Sequence, residues 1–400
     1  MKVSRMNEIF QQALPVLKEI ESHGFEAYFV GGCVRDYYLN RDINDIDIAV
    51  SATPEEIKKI FKQTIDVGID HGTVLVIHET GHFEVTTFRT DGEYSDSRRP
   101  DQVSFVRSLK EDLKRRDFTM NAMALSSSFE LTDLFNGRRD IKNREIRTVG
   151  SPLERFNEDA LRMLRAIRFV SQLDFNIEKD TYHAISASSS ALSNVAVERK
   201  AAEVEKLLIG QAMDRSLAYA VDTGLSNFMP PLINAEITRQ LKGKKWIALN
   251  FHERMVLILI IGHFSSLREC LSKWRFSNKR IKLLMLIHEL VMIRQQREFL
   301  KTDIYYIGKE NVEAAEKVYA VLSNQPVNTD HISACYSSMK IKNKSDLAFK
   351  GTHLIKWTGL KGGPWVKACT NQIETLILSE ELENEVSEIK KWVQTKWLQK

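Results

Sequence analysis

The chain has 400 residues, of which 43% are hydrophobic and 28% charged, and its net charge at neutral pH is only +4. This length exceeds the size at which a single core stops growing, so two or more domains are expected. No apolar run is long enough for a membrane span, and the N-terminus lacks the apolar block of a signal peptide. Four widely spaced cysteines, without a CxxC pair or a disulfide framework, predict a cytoplasmic protein with no membrane partner.

The first elements predict a phosphate-binding turn. Residues 5–22 have the apolar spacing of a helix, and a short strand over 27–30 leads into Gly31 and Gly32. Glycine lets the backbone approach a phosphate closely, and Arg35 just beyond can bind two phosphate oxygens at once. The pattern is neither GxGxxG nor GxxxxGK, so neither a dinucleotide fold nor a P-loop is indicated.

Two aspartates follow with one apolar residue between them. In a strand, Asp45 and Asp47 would project from the same face, while Ile46 and Ile48 would point into a core. Such carboxylates, together with substrate phosphates, commonly bind Mg²⁺. Taken alone, the pair is more typical of a strand edge with two solvated aspartates.

The next segments predict a hairpin and a loop. Residues 73–77 and 82–89 alternate in polarity and are joined by a short turn. Glu84 on the second strand either faces the aspartates as a third carboxylate or is simply exposed. Residues 90–100 are polar and rich in turn formers, which indicates a mobile loop.

An arginine pair then precedes a predicted helix start. Arg115 and Arg116 lie beside Asp117, with Asn121 four residues later. An arginine here can hold phosphate, and the aspartate and asparagine can bond ribose hydroxyls. A capped helix with a solvated ion pair is the alternative. Residues 133–141 are predicted to be a turn that leads out of the sheet domain.

From residue 151 the helical period dominates. A helix over 155–173 is predicted to bury an apolar stripe and to carry a polar band on its other side. An aspartate and an arginine side by side can present an acceptor and a donor to a base edge, although a solvated face explains such a band as well. The band comprises Glu158, Asp159, Arg162, Arg165 and Arg168.

Seven motifs occur in one order over residues 31–208: GGCVRD, DIDIAV, EVTTFR, RRDFTMNAMA, DLFNGRRDI, EDALRMLRAIRF and VERKAAEVEKLL. Together they resemble the bacterial-class (class II) tRNA nucleotidyltransferases, the CCA-adding enzymes, and the related bacterial poly(A) polymerases. The match covers about half the chain. The helical remainder is similar more loosely, with KGGPWVK at 361–367 as the clearest piece.

The resemblance implies an α+β fold. A nucleotidyltransferase head of the DNA polymerase β type, with a small mixed sheet and helices, would be followed by all-α neck, body and tail domains. The implied bounds are 1–150 for the catalytic head, 151–212 for the neck, 213–310 for the body and 311–400 for the tail.

The resemblance also implies roles for individual residues in the head. Asp45 and Asp47 match the catalytic carboxylates that bind Mg²⁺. The contacts to the incoming triphosphate match Gly32, Arg35 and Arg116.

The sugar and the base would be held by later motifs. Asp117 and Asn121 match the part of the family motif that contacts ribose, and Asp159 and Arg162 match the pair that reads the base of CTP or ATP. Arg165 and Arg168 match further nucleotide contacts. Residues 89–107 match the flexible loop needed for the switch from CTP to ATP.

A basic segment near the C-terminus predicts an RNA contact. Residues 340–367 contain seven lysines and one acidic residue, Asp346, with two tryptophans interleaved. Such a segment suits sequence-independent phosphate binding, although solvated helix faces give the same pattern. The candidate RNA-binding residues are Lys340, Lys342, Lys344, Lys361 and Lys367.

The function that follows is addition of C, C and A to the 3′ end of tRNA from CTP and ATP, dependent on Mg²⁺ and without a nucleic-acid template. An enzyme that adds only A, or a poly(A) polymerase, is the alternative within the class. A non-catalytic RNA-binding protein on the same scaffold is the alternative from another class. The sequence leaves open whether the chain forms a homodimer.

Overall fold

A computed structural model describes residues 2–68, 72–91 and 103–399 of the chain. They form two compact units. The first comprises Met1–Arg239 together with Lys273–Arg275, and the second comprises Gln240–Ser272 together with Phe276–Lys400. Within the described part of the chain, no helix has the length and apolar content needed to span a bilayer.

The first unit begins with the predicted sheet domain. Its elements, in chain order, are α1 (Lys2–Ser22), β1 (Ala27–Val30), α2 (Gly32–Tyr38), β2 (Asp47–Val50), α3 (Pro54–Ile60), β3 (Thr64–Gly68), β4 (Thr73–His78), β5 (Gly81–Thr87), β6 (Arg89–Asp91), β7 (Val103–Phe105), α4 (Leu109–Lys114), β8 (Ala124–Leu125), β9 (Leu131–Thr132), α5 (Gly137–Asn143) and β10 (Glu145–Ile146). The expected first helix and the β4–β5 hairpin are confirmed.

The strands form a mixed sheet of seven in the order β3-β4-β5-β2-β1-β8-β9. β2 and β5 run parallel, whereas the other neighbouring pairs are antiparallel. β6 and β7 form a separate antiparallel ribbon. β1 and β2 are therefore central strands, and side chains that follow them lie in the middle of the domain.

The central strand β1 is buried on both faces. Successive side chains of a strand point to opposite faces, and Phe29 and Val30 are both buried. Phe29 packs edge to face against Phe10 of α1, with ring centroids 4.8 Å apart. Val30 belongs to a second apolar cluster with Phe88 and Leu113. Burial on both faces explains the continuous apolar run of this strand and fixes the position of the turn after it.

The strand that carries the aspartates is shorter than expected. β2 starts at Asp47, so Asp45 precedes the strand and the prediction that both aspartates lie within it is wrong. The pairing ends there because Asp47 is the register partner of Val30, the last residue of β1. At Gly31 the chain turns away with φ of 75° and enters α2. Ile46 and Ile48 are buried, as the alternation predicts.

Two local predictions in the rest of the domain are only partly correct. The arginine pair lies between two helices, because α4 ends at Lys114 and the helix that starts after Asp117 is only a 3₁₀ turn, Thr119–Asn121. Residues 133–141 contain the start of α5 as well as a turn. Asp133 accepts the amides of the first two residues of α5 at 2.8 and 2.9 Å, which stabilises this helix start.

The first unit continues with helices. They are α6 (Pro152–Glu158), α7 (Leu161–Leu173), α8 (Lys179–Ser188), α9 (Val197–Leu208), α10 (Met213–Asp222) and α11 (Ala235–Leu241), with a two-residue strand β11 (Asn176–Ile177) before α8 that pairs with β10. α7 packs against α9 and α10.

The single helix expected over 155–173 is interrupted. Asp159 has an extended backbone, with φ of −143° and ψ of 103°, and separates α6 from α7. Its carboxylate accepts the amide of Leu161 at 3.0 Å, in the manner of a residue that caps a helix start. The predicted apolar stripe is buried, but the polar band is not a solvated face, because Arg162 and Arg168 are each only 7% exposed.

The second unit is helical. Its helices are α12 (Phe251–Ile261), α13 (Leu267–Lys273), α14 (Asn278–Gln296), α15 (Lys301–Ile307), α16 (Lys309–Leu322), α17 (Asp330–Ser338), α18 (Gly351–Thr358), α19 (Pro364–Leu378) and α20 (Val386–Trp392). α12, α14 and α16 pack on one another, and a separate apolar cluster joins α15 to the last helices.

The predicted α+β class, a small mixed sheet with helices followed by helical structure, is confirmed. The division into head, neck, body and tail stays a prediction. The expected head and neck both fall within the first compact unit.

Candidate functional site

A polar cavity of about 530 Å³ lies in the first unit. It is lined by Gly31, Gly32, Arg35, Asp47, Arg89, Arg115, Arg116, Asp117, Asn121, Asp159, Leu161, Arg162, Arg165, Arg168, Phe169 and Arg199. All the residues predicted to bind nucleotide are in this set, together with Asp47, whereas Asp45 is not. The fold therefore brings together residues that are up to 168 positions apart in the sequence, which is the separation of Gly31 from Arg199.

We call the part of the cavity formed by the sheet domain its sheet side. Gly31 is one of its lining residues, and a Cβ atom there would lie 3.2 Å from Arg116 Nη1 and 3.3 Å from Asp47 Oδ2. The absence of a side chain at Gly31 thus lets a guanidinium and a carboxylate approach the same turn. The backbone at this turn has φ of 75°, which favours glycine for a second reason.

The carboxylate of Asp47 is in an electrostatically unusual place. The surrounding protein raises its pKa, and the charges of Glu84 and Asp45 raise it further, while Arg116 opposes both effects. Glu84 is the register partner of Asp47 across the parallel β2–β5 pair. Two acidic side chains therefore act on Asp47 here, although no group of three or more His, Cys, Asp or Glu side chains in the described residues is close enough to hold a metal ion together.

The two arginines that follow α4 are held by one buried carboxylate. Asp112, 1% exposed, accepts from Arg115 at 2.7 Å through Oδ1 and from Arg116 at 2.9 Å through Oδ2. Burial acts to raise the pKa of Asp112, but the two guanidinium groups outweigh it and hold the pKa below its ordinary value. This anchoring fixes Arg116 beside Gly31 before any ligand arrives.

A chain of hydrogen bonds connects the remaining polar residues of the sheet side. Arg35 donates to Asn121 Oδ1 at 2.9 Å and forms a two-pronged pair with Asp36. Asn121 in turn donates to Asp117 Oδ1 at 3.1 Å. Arg165 donates to Asp117 Oδ2 at 2.8 and 2.5 Å.

Asp117 is the carboxylate at the centre of this chain. Burial alone would raise its pKa, yet Arg165 and Asn121 hold the pKa at about 2. The residue is 8% exposed, and both of its oxygens accept hydrogen bonds. It is ionised at neutral pH and orients Asn121 and Arg165, and its predicted contact with ribose stays a prediction.

We call the part formed by α6, α7 and α9 the helix side. Arg162 donates to Glu158 at 2.6 Å and to the backbone carbonyl of Arg115 at 3.1 Å. Asp159 accepts from Arg199 at 2.8 Å. The two residues predicted to read the base therefore each have a charged protein partner, Glu158 for Arg162 and Arg199 for Asp159.

Arginines from both sides of the cavity lie near one aromatic ring. Arg168 lies over the ring of Phe169 at 3.9 Å from its centroid, and Arg35 lies 5.2 Å from it. Glu203 on α9, 5% exposed, accepts from Arg168 at 2.5 Å and lies 3.8 Å from Arg165. Burial lowers the pKa of Arg168, and the charge of Glu203 opposes this.

Several residues of the site were not predicted individually from the sequence. Arg89, Phe169 and Arg199 line the cavity, and Asp112 and Glu203 bind its arginines from behind. Apart from Asp112, each lies inside or beside a motif quoted above, but spacing alone does not tell which residue of a motif faces a cavity. Residues 92–102 of the loop expected over 89–107 lie outside the described part of the chain, and the ribbon β6–β7 flanks them.

The lysines predicted to bind RNA lie apart from this cavity in sequence and belong to the second unit. Their side chains are exposed. Lys340 pairs with Glu383 at 2.7 Å, and Lys342 lies 5.2 Å from the ring of Tyr336. The set comprises Lys340, Lys342, Lys344, Lys361 and Lys367.

The geometry has a clear chemical capacity. Eight arginines line one cavity with a close backbone turn and an accessible carboxylate. Arginine forks bind phosphate oxygens in pairs, and a glycine turn leaves room for the phosphate itself. On the helix side, the carboxylate acceptor of Asp159 and the guanidinium donor of Arg162 suit hydrogen bonds to the edge of a base.

Three family models match the chain. The Poly A polymerase head domain matches residues 27–147, the probable RNA- and SrmB-binding site of polymerase A matches 174–237, and the putative domain 2 of tRNA nucleotidyltransferase matches 252–393. The matched segments follow one another without overlap and include the strands and helices that line most of the cavity.

Individual proteins match over nearly the whole length. A CCA-adding enzyme of Listeria monocytogenes is 42% identical over 390 residues, 97% of this chain and 99% of its own. A CCA-adding enzyme of a Geobacillus species is 43% identical over 393 residues, 97% of each chain. The crystal structure of the Bacillus stearothermophilus CCA-adding enzyme in complex with CTP superimposes with a TM-score of 0.89 at 40% identity, covering 98% of each chain.

A polymerase head domain whose arginine-rich cavity opens beside a strand carboxylate defines a nucleotidyltransferase. The full-length relatives narrow this class. The chain belongs to the family of CCA-adding enzymes, and the resemblance seen in the sequence motifs is confirmed.

Proposed function

We propose that this protein adds C, C and A to the 3′ end of tRNA, using CTP and ATP and no nucleic-acid template. The observation that carries the proposal is the single cavity in which arginines suited to a triphosphate and an Asp and Arg suited to a base edge are held by protein partners. The CCA-adding enzymes named above, whose sequences are similar to this chain over nearly its whole length, support the same reaction.

On the sheet side, the proposal assigns charge neutralisation to arginines. Arg35 and Arg116 bind oxygens of the triphosphate beside Gly31 and Gly32, where the backbone allows close approach. The ion pair with Asp112 holds the Arg116 guanidinium in place, so this side chain needs little reorganisation when the substrate binds. Negative charge that develops on the leaving pyrophosphate meets a preformed positive surface.

The carboxylates fit a divalent cation. Asp47 is destabilised as an anion by its surroundings and by the charges of Asp45 and Glu84, so a cation bound there would relieve the repulsion. Hard carboxylate oxygens with substrate phosphates are the donor set that Mg²⁺ prefers. We propose that Asp45 and Asp47 hold Mg²⁺, which when bound supplies stabilisation of the attacking 3′ oxygen and the leaving oxygen at the α-phosphate.

On the helix side, the proposal assigns base selection to Asp159 and Arg162. Cytosine and adenine both present an exocyclic amino donor, whereas uracil and guanine present a carbonyl acceptor at the equivalent position. The carboxylate of Asp159 accepts from the amino group and repels the carbonyl. Arg162 donates to ring acceptors, with Arg165 and Arg168 as further contacts to the nucleotide and Asp117 and Asn121 near the ribose.

The tRNA itself is proposed to contact the exposed lysines of the second unit, since a row of lysines with few acids neutralises phosphates without reading sequence. We propose that the reaction takes place in the cytoplasm, because the four widely spaced cysteines are typical of a protein in a reducing compartment.

A denaturing-gel assay tests the proposal. A tRNA that ends at its discriminator base is given CTP alone, ATP alone, or both. We expect two added residues with CTP alone and three with both. A long ladder with ATP alone indicates a poly(A) polymerase, and a single A added only to tRNA ending in CC indicates an A-adding enzyme. No extension of any tRNA in the presence of Mg²⁺ contradicts nucleotidyl transfer.

A further inference from the structure

We propose that Arg199 is a positioning residue for base selection, because it holds the carboxylate of Asp159 in the orientation that accepts an amino group. This inference deepens the proposed function and rests on it. The observation that motivates it is the ion pair of 2.8 Å between Arg199 Nη2 and Asp159 Oδ2, in which the side chains are 23% and 15% exposed.

The side chain of Asp159 needs a partner because the hydrogen bonds of its own backbone do not orient its carboxylate. The residue lies at the break between α6 and α7 in an extended conformation, where its amide donates to the carbonyl of Arg155 at 3.3 Å. The amide of Leu161 binds one of its oxygens at 3.0 Å, and Arg199 binds the other. Two contacts on different oxygens define the plane of the carboxylate. An ionised carboxylate has about four acceptor sites, so capacity remains for the base.

Arg199 also has donor capacity left. Its Nη1 atom is buried and has no hydrogen-bond partner among the residues that the structure describes. Buried donors are normally satisfied, so an orphaned one at the wall of a ligand cavity is an unusual feature. The pair of Arg199 and Asp159 therefore lies at the wall of the ligand cavity, where the orientation of the carboxylate decides what it can accept.

The helix that carries Arg199 supports the site at a second point. Glu203 lies four residues further along α9, on the same face, and binds Arg168 and approaches Arg165. One face of α9 thus contacts both the predicted base reader and the arginines beside it. Lys206, which is exposed on the same helix, offers a matched control for removal of a positive charge.

The test measures kcat/KM for CTP and for UTP with a tRNA that ends at its discriminator base. For Arg199→Met we expect the preference for CTP over UTP to fall at least about tenfold, since one charge-assisted hydrogen bond of a base-reading group is lost. Arg199→Lys keeps the charge without the planar fork and should restore part of the preference. Lys206→Met should leave the preference unchanged.

A double variant separates positioning from support of the fold. If Arg199 acts through Asp159, the preference in Asp159→Ala with Arg199→Met should equal that of Asp159→Ala alone within about twofold. Two losses that multiply would overturn the proposal. An equal loss of kcat/KM for all nucleotides, with the preference for CTP intact, would also overturn the proposal. So would a higher kcat/KM with CTP, because the ion pair would then hinder nucleotide binding.

The outcomes also separate this inference from the proposed function. A wild-type protein that adds no C contradicts the function. A wild-type protein that adds C selectively, beside an Arg199→Met variant that is equally selective, contradicts only the inference. Thermal unfolding is recorded for every variant, and Arg199→Gln replaces Arg199→Met in the same comparison if the latter does not fold.

Discussion

The sheet side and the helix side of the cavity are built in different ways. On the sheet side, Asp47 is the first residue of a central strand whose register is fixed, and Arg116 is held by the buried carboxylate of Asp112. On the helix side, Asp159 lies at a break between two helices and is oriented by a single arginine from a third. The sheet side resembles a rigid anion receptor, whereas the helix side depends on a few side-chain contacts that a substitution can change.

This difference matches the two tasks of the proposed reaction. Triphosphate chemistry is the same for CTP and ATP, so a fixed arrangement serves both. Base selection must accept two bases of different size. Side chains that are fixed only by contacts of their terminal polar groups can adjust to either base more easily than a rigid backbone element can. The comparison predicts that substitutions on the two sides fail in different ways.

The largest effect is expected for Asp47→Asn. Loss of the carboxylate should lower kcat/KM by roughly a thousandfold or more, equally for CTP and ATP, because several kcal/mol of transition-state stabilisation depend on the bound cation. Single-turnover extension of tRNA measures it. Asp42→Asn, an exposed residue in the same segment, is the control and should be near wild type. A loss confined to one nucleotide would contradict the assignment of Asp47 to chemistry.

A smaller and selective effect is expected for Asp159→Ala. The preference for CTP over UTP should fall about 10- to 100-fold, the range for one base-edge contact, while phosphodiester bonds still form. Competition between the two nucleotides on one tRNA gives the ratio directly. Asp174→Ala removes an aspartate that pairs with Arg215 at the other end of α7 and serves as the control. Retained fidelity in Asp159→Ala would refute its role as a reader of the base.

Asp117 joins the two sides, and its variant should show a loss of stability. Asp117→Asn should lower the free energy of unfolding by about 2 kcal/mol at pH 7, since Arg165 loses its charged partner. The pKa of Asp117 is about 2 when folded, below the ordinary value of about 3.9 in the unfolded chain.

The sign of the pH dependence follows from this depressed pKa. The stabilisation is fully present above about pH 4 and is lost as the pH falls towards 2. Denaturant titrations between pH 8 and pH 3 should therefore give a constant difference between the two proteins down to about pH 4 and a shrinking one below it. A difference that grows on acidification would have the wrong sign for this account.

The smallest effect is expected in the second unit. Replacement of Lys340, Lys342 and Lys344 by Glu should weaken tRNA binding about tenfold at moderate salt and make it less salt-dependent, with CTP binding unchanged. Lys340 should contribute least, because it is already paired with Glu383. Charge reversal of Lys18, Lys59 and Lys62, which are exposed in the first unit, provides the control. Equal losses in both sets would indicate only a general effect of net charge.

The sequence predicts the sheet side better than the helix side. Gly31, Arg35 and Asp47 belong to a compact motif whose strand and turn signals are local, and the structure brings them together as that motif implies. The exact start of β2 could not be predicted, because it depends on where the partner strand β1 ends. Register is a property of two segments and is not visible in one.

The helix side was harder to predict for a similar reason. The apolar period continues through Asp159, so periodicity indicated one helix, whereas the capping contact to Leu161 divides it. Arg199 and Glu203 are partners of residues 40 and 35 positions away, and nothing in their own segment indicates this. Such long-range ion pairs come from the packing of α9 on α7, which the sequence pattern does not specify.

A crystal structure of the protein with CTP tests the central claim most directly. The account predicts that the triphosphate lies against Arg35, Arg116 and the turn at Gly31, with the amino group of cytosine within hydrogen-bond distance of Asp159, whose pair with Arg199 is retained. A cytosine that lies on the sheet side, or an amino group that contacts no carboxylate of the helix side, would contradict the division of labour between the two sides of the cavity.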